Sequence, residues 1–197
     1  MRVSKSIIAI ATVAILSLAG LIAWRSQFKP SGPAPSAIGG PFQLVADNGA
    51  QVDQRILLGK WSAVYFGYSF CPDVCPTTLA ALAQAIAQLG PKGRALQVVF
   101  ISVDPERDTP AQLRAYLASP SFPKGAIGLT GTPDEIKSVA GAYHVYYSLH
   151  QEGSGPYSVD HTSIIYLMDP QGRFVRPLTP AAPAEMASQI TQAMSEH

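Results

Sequence analysis

Cys71 and Cys75 are the two cysteines of the chain, four positions apart in Cys71-Pro72-Asp73-Val74-Cys75-Pro76. A thiol pair at this spacing suits two chemistries, thiol–disulfide exchange or the binding of a soft metal. The plainer alternatives are one structural disulfide or two buried, inert thiols. Three intervening residues make a wider loop than the redox motif Cys-x-x-Cys. A disulfide fits such a loop, and an ion held between two thiolates fits with more room. A helix starting at the pair would favour the thiolate form that both chemistries need.

Two thiolates alone leave a metal short of ligands. Structural zinc takes four, commonly with further Cys or His. Cu(I) is soft and is satisfied by two or three, for which Cys and His are both suitable. The chain offers His144, His150, His161 and His197. His161 has the most telling context, Ser158-Val159-Asp160-His161-Thr162-Ser163, directly before an expected strand. Redox proteins of the thioredoxin fold carry a proline at this junction, facing the thiols. No proline stands here, so an imidazole could face the cysteines instead, and a half-exposed loop histidine is the competing reading. His144 and His150 are weak candidates for a second site.

The elements that must position these groups follow from local patterns. Trp61-Ser62-Ala63-Val64-Tyr65-Phe66-Gly67 is an apolar run that predicts a buried strand leading into the thiols. A helix is expected over roughly 76–89, ended by Gly90-Pro91. Asp47-Asn48-Gly49 between two short apolar runs predicts a hairpin. Leu96 to Val103 reads as a second buried strand. Thr109-Pro110 and Thr132-Pro133 each combine an N-cap with a proline at the first helical position. A short strand at 127–129, a strand at 163–168, a turn at Asp169-Pro170-Gln171-Gly172, a partner strand and a helix from Pro183 complete the order. Strands alternating with helices imply an α/β domain with a mixed sheet and helices on both faces. The closing hairpin and helix fit a thioredoxin-like fold. Tyr143-His144-Val145-Tyr146-Tyr147 reads as aromatic packing at a helix end.

The charge is close to balance, 14 basic against 13 acidic residues in 197. Nothing in it suggests a nucleic-acid partner, which needs a clustered basic surface. From Ile7 to Trp24 no charged residue occurs in 18 positions, a helical length of roughly 27 Å. Arg2 and Lys5 precede this run, and Arg25 and Lys29 follow it. The chain therefore divides into an expected membrane anchor (1–28), a Pro/Gly-rich tether (29–41) and one domain (42–197). A cleaved signal peptide, with Ser17-Leu18-Ala19 as its small-x-small site, is the alternative. The apolar run continues past that site to Trp24, which favours the anchor. Either way the domain is expected on the exported side of a bacterial cytoplasmic membrane.

Four stretches resemble the SCO/SenC family of copper chaperones. They are Cys71-Pro72-Asp73-Val74-Cys75-Pro76-Thr77-Thr78-Leu79, Phe100 to Pro110 with Asp104-Pro105-Glu106-Arg107-Asp108, Gly128-Leu129-Thr130-Gly131, and Tyr157 to Ser163. They occur in family order over about residues 60–176. The resemblance implies copper held by Cys71, Cys75 and His161, for assembly of cytochrome c oxidase. It further implies oxidase subunit II as partner, and other copper chaperones as possible partners. Asp160 is then expected beside the ligand, orienting its imidazole, with a solvated loop carboxylate as the competing reading. Asp104, Arg107 and Asp108 lie in a loop after a strand and are expected to fix it by a salt bridge, with a part in a docking surface as the alternative. The rival reading on the same fold is a thiol–disulfide oxidoreductase that acts on exported proteins and needs the cysteines but not His161.

Overall fold

The computed structural model describes residues 38–151, 157–180 and 182–197. The expected anchor, 1–28, lies outside the described residues. Among the described residues no helix is long and apolar enough to cross a membrane. Of the expected tether, residues 38–41 are described, and Gly39 N donates to Ala142 O at 2.9 Å. Those residues are therefore held against the domain.

The hairpin forms as its turn chemistry predicts. Strand β1 (Gln43–Ala46) pairs antiparallel with β2 (Gln51–Asp53). In the turn, Ala50 N donates to Asn48 Oδ1 at 2.9 Å, and Gly49 takes the left-handed conformation, φ 86°. Residues with a Cβ enter that conformation only at a cost.

Strand β3 (Trp61–Gly67) is buried at every position. It pairs in parallel with β4 (Leu96–Ser102), and β4 pairs in parallel with β5 (Ile127–Thr130). A strand covered on both faces reads as a continuous apolar run, and this explains the lack of alternation from Trp61 to Gly67. Between these strands lie α1 (Val74–Gln88) and α2 (Pro110–Leu117). Next comes α3 (Pro133–Ala142), opened by a reciprocal cap: Thr132 N donates to Glu135 Oε2 at 2.7 Å, and Glu135 N donates to Thr132 Oγ1 at 3.3 Å.

After α3 the chain forms two strands absent from the sequence-based expectation, β6 (Tyr147–His150) and β7 (Ser158–His161). They pair only with each other, antiparallel, and make a small separate sheet. His161 thus ends a strand rather than lying in a loop. Strands β8 (Ile165–Met168) and β9 (Phe174–Leu178) and helix α4 (Pro183–Glu196) close the domain. The main sheet has the order β2-β1-β5-β4-β3-β8-β9, with β8 antiparallel to β3. This is the mixed central sheet with flanking helices of a thioredoxin-like fold. Tyr65, Phe66, Phe100, Leu79, Leu82 and Ile165 are among its fully buried side chains.

Candidate metal centre

The cysteines lie where β3 gives way to α1. After Gly67 the backbone leaves the sheet and tightens, with Cys71 N donating to Tyr68 O at 3.2 Å. The helix starts at Val74, two residues before the expected Pro76. Cys75 therefore sits in the first helical turn, and Cys71 lies in the loop before it. Proline at 76 removes no helical bond there, because the first-turn N–H groups have no partner within the helix. One of those orphan groups has a use: Cys75 N donates to Cys71 Sγ at 3.3 Å. Cys71 is half-buried and Cys75 is fully buried, and both are free thiols.

His161 arrives from the far end of β7. Its Nε2 stands 3.2 Å from Cys75 Sγ, and its Nδ1 stands 3.1 Å from Thr162 O. A carbonyl oxygen only accepts, so Nδ1 carries a proton, and Nε2 is the ring atom turned towards the thiols. The sulfurs of Cys71 and Cys75 and a ring nitrogen of His161 lie within 4.8 Å of one another. Among the described residues no other group of three such side chains is so placed. Two aromatic rings box the imidazole edge-on, Tyr68 at 5.9 Å and Tyr65 at 6.2 Å between ring centres.

The two thiols differ sharply in acidity. The Cys71 thiol is pushed down to about 5, chiefly because the Cys75 thiol donates to its sulfur. Burial opposes this, and the backbone N–H groups of Cys75 and Asp73 support it. The Cys75 thiol is pushed up, first by that same bond to Cys71 and then by burial. The pair thus ionises unequally, with the thiolate favoured on the more accessible sulfur, Cys71.

Asp160 does not orient His161. Neighbouring residues on a strand point to opposite faces, so the Asp160 carboxylate turns outward. It lies 3.1 Å from His150 Nε2 and is 72% exposed. The Thr162 carbonyl does the orienting, a contact invisible in the sequence because any residue supplies a carbonyl. His150 is occupied with Asp160, and the ring of His197 packs edge-on against Trp61 at 6.1 Å. His144, an exposed residue, lies in the turn after α3. The expected loop-fixing ion pair is present between Arg107 and Asp104. Asp108 is fully buried and accepts from Ser69 N at 3.0 Å, Ser69 Oγ at 2.5 Å and Ser102 Oγ at 2.6 Å. It therefore pins the residue two positions before Cys71.

Gly67 is a further residue that the site requires. A Cβ there would meet Cys75 Sγ at 2.8 Å and the Phe100 ring at 2.9 Å. A glycine closing an otherwise bulky strand directly before a thiol loop is the signal that could have revealed it.

A SCO1/SenC family model matches residues 30–195. The chain is 49% identical over 142 residues to protein SCO1 homolog 1, mitochondrial, of Arabidopsis thaliana, a match covering 72% of this chain and 42% of that protein. It is 45% identical over 149 residues to protein SenC of Rhodobacter capsulatus, covering 75% of this chain and 66% of that one. The alignments therefore take in less than two thirds of these relatives' length. The copper-bound structure of Bradyrhizobium japonicum ScoI superposes with a TM-score of 0.72 at 44% identity, covering 79% of this chain and 99% of that one. The chain belongs to the SCO1/SenC family.

Proposed function

We propose that this protein is a membrane-tethered copper chaperone that supports assembly of the copper site of cytochrome c oxidase. The observation that carries this reading is the convergence of Cys71, Cys75 and His161, whose ligand atoms lie within 4.8 Å of one another. Two thiolates and one imidazole suit copper better than a closed zinc site. A three-ligand site with one ligand half-exposed also lets an acceptor's ligand reach the ion, as a cargo metal requires. The similarity to a ScoI structure solved with copper bound supports the same reading.

In this proposal the acceptor is oxidase subunit II, and another copper chaperone serves as a possible donor. Residues 1–28 anchor the chain in a bacterial cytoplasmic membrane, and 29–37 tether the domain on the periplasmic side. The apolar, uncharged run from Ile7 to Trp24 supports that placement. The test is copper titration of the reduced full chain. One copper per chain is expected, with tight binding lost in Cys71→Ser and Cys75→Ser and weakened in His161→Ala. Binding of zinc but not copper would overturn the reading.

The asymmetry of the thiols favours a second reading, thiol–disulfide exchange with an exported protein. The Cys71 thiolate attacks a disulfide of the partner, forming a mixed disulfide and releasing one partner thiolate. Cys75, once it loses its proton, then attacks Cys71 Sγ. A Cys71–Cys75 disulfide forms, and the partner leaves with both its sulfurs reduced. His161→Ala separates the two readings, since exchange does not need the imidazole as a ligand.

A further inference from the structure

His161 stands on the small sheet β6–β7, which shares no ladder with the main sheet that delivers the cysteines. Its distance from the thiols is therefore not set by strand pairing. On the C-terminal side the chain is anchored soon after, where β8 starts at Ile165. On the N-terminal side, where β7 begins, one side chain links every segment concerned. Arg107, in the loop after β4, is paired through Nε with the buried carboxylate of Asp104. Its Nη1 donates to the Tyr157 carbonyl at 2.9 Å. Its guanidinium lies over the Tyr157 ring at 3.7 Å, with Phe70 at 5.0 Å and Tyr68 at 5.6 Å. The Tyr157 hydroxyl donates back to Asp104 at 2.7 Å. Tyr68 then reaches β7 itself, its hydroxyl accepting from Val159 N at 3.4 Å.

Phe70 and Tyr68 belong to the loop that carries Cys71, and Tyr157 and Val159 belong to the segment that ends in His161. We infer that Arg107 is a positioning residue for the copper site, clamping the His161 strand to the cysteine loop at the spacing three-ligand binding needs. The chemistry calls for arginine. A planar, permanently charged fork can pair with a carboxylate, donate to a carbonyl and stack on an aromatic face at once, whereas an ammonium satisfies only part of this. None of these side chains belongs to the Cys71, Cys75 and His161 group itself. Its effect passes through the aim of Nε2. The inference rests on the proposed copper site, with His161 as third ligand.

The test uses the full chain loaded with Cu(II), in wild type, Arg107→Lys, Tyr157→Phe, His161→Ala and the Arg107→Lys/His161→Ala double variant. Three quantities are read: the nitrogen hyperfine pattern in electron paramagnetic resonance, copper retention against a chelator, and thermal unfolding of the metal-free protein. Arg107→Lys is expected to weaken copper retention about tenfold, as loss of an outer support of a metal ligand typically does, and to move the spectrum towards that of His161→Ala. Tyr157→Phe should give a smaller change of the same kind. In the His161→Ala background, Arg107→Lys should add no further loss, because the ligand it aims is gone. Full additivity in the double variant, or wild-type spectrum and retention in Arg107→Lys, would overturn the inference. So would unfolding of both Arg107→Lys and Tyr157→Phe, since the cluster would then support the domain rather than aim one ligand. If His161→Ala itself leaves spectrum and retention unchanged, the proposed three-ligand site fails, and that result is distinct from failure of the clamp.

Discussion

Cys75 Sγ and His161 Nε2 stand 3.2 Å apart although 86 positions separate them in the chain. The imidazole is held in this position by its Nδ1–H bond to the Thr162 carbonyl. A metal arriving here finds Nε2 already aimed at the thiols, so binding requires no reorientation of the ring.

Asp160→Asn should leave this arrangement intact. The carboxylate faces His150 and solvent, away from the thiols. Copper affinity within about twofold of wild type is expected, since an exposed pair of this kind contributes little. A tenfold loss in a chelator competition would show that the carboxylate acts on the site after all.

Gly67→Ala should damage the site from beneath. The added methyl meets Cys75 Sγ at 2.8 Å and the Phe100 ring at 2.9 Å, in a fully buried strand end. Overpacking of this type costs about 1–3 kcal/mol. Denaturant unfolding should report that loss, and copper affinity should fall with it because the sulfur must move. Wild-type stability together with wild-type affinity would mean that the strand end yields freely.

Asp108→Ala tests the support of the thiol loop. The buried carboxylate accepts from Ser69 N, Ser69 Oγ and Ser102 Oγ, and burial pushes its pKa up. Alanine leaves those donors without partners in a dry site, a loss of about 3 kcal/mol. The check is chemical denaturation of the metal-free protein. A change under about 0.5 kcal/mol, the range of an ordinary surface substitution, would show that water replaces the carboxylate.

Much of the scaffold is legible in local sequence, and the reason is physical. The Trp61–Gly67 run, the Asn48-Gly49 turn and the Thr109-Pro110 and Thr132-Pro133 starts are all set by neighbours a few residues away. β6 and β7 escape notice because each has four residues and is only partly covered, so the brief Tyr147-Ser148-Leu149-His150 alternation does not stand out as a strand. Missing β7 is what leads to the misplacement of Asp160, since strand alternation would have turned its carboxylate outward. The setting of Arg107 is also hidden. The salt bridge to Asp104 is expected from the sequence, but the rings that enclose the guanidinium come from the distant Tyr68, Phe70 and Tyr157.

The unequal thiols predict how copper binding depends on pH. The Cys71 thiol is pushed down from its ordinary 9.0 to about 5, and the Cys75 thiol is pushed up. Above about pH 5 Cys71 is thus already a thiolate, while Cys75 holds its proton well past neutrality. Folding favours the Cys71 thiolate, so the stability it contributes grows as pH rises from about 5 to 9 and is lost as pH falls through about 5. A metal that binds both sulfurs must displace the one remaining thiol proton, from Cys75. At pH 7 about one proton per copper should therefore be released, measurable by calorimetry in buffers of different ionisation enthalpy. Iodoacetamide should modify Cys71 of the metal-free protein with a midpoint near pH 5 and leave Cys75 untouched until the domain unfolds. Release of two protons at pH 7, or a Cys71 midpoint near 9, would show that the two thiols are not unequal in this way.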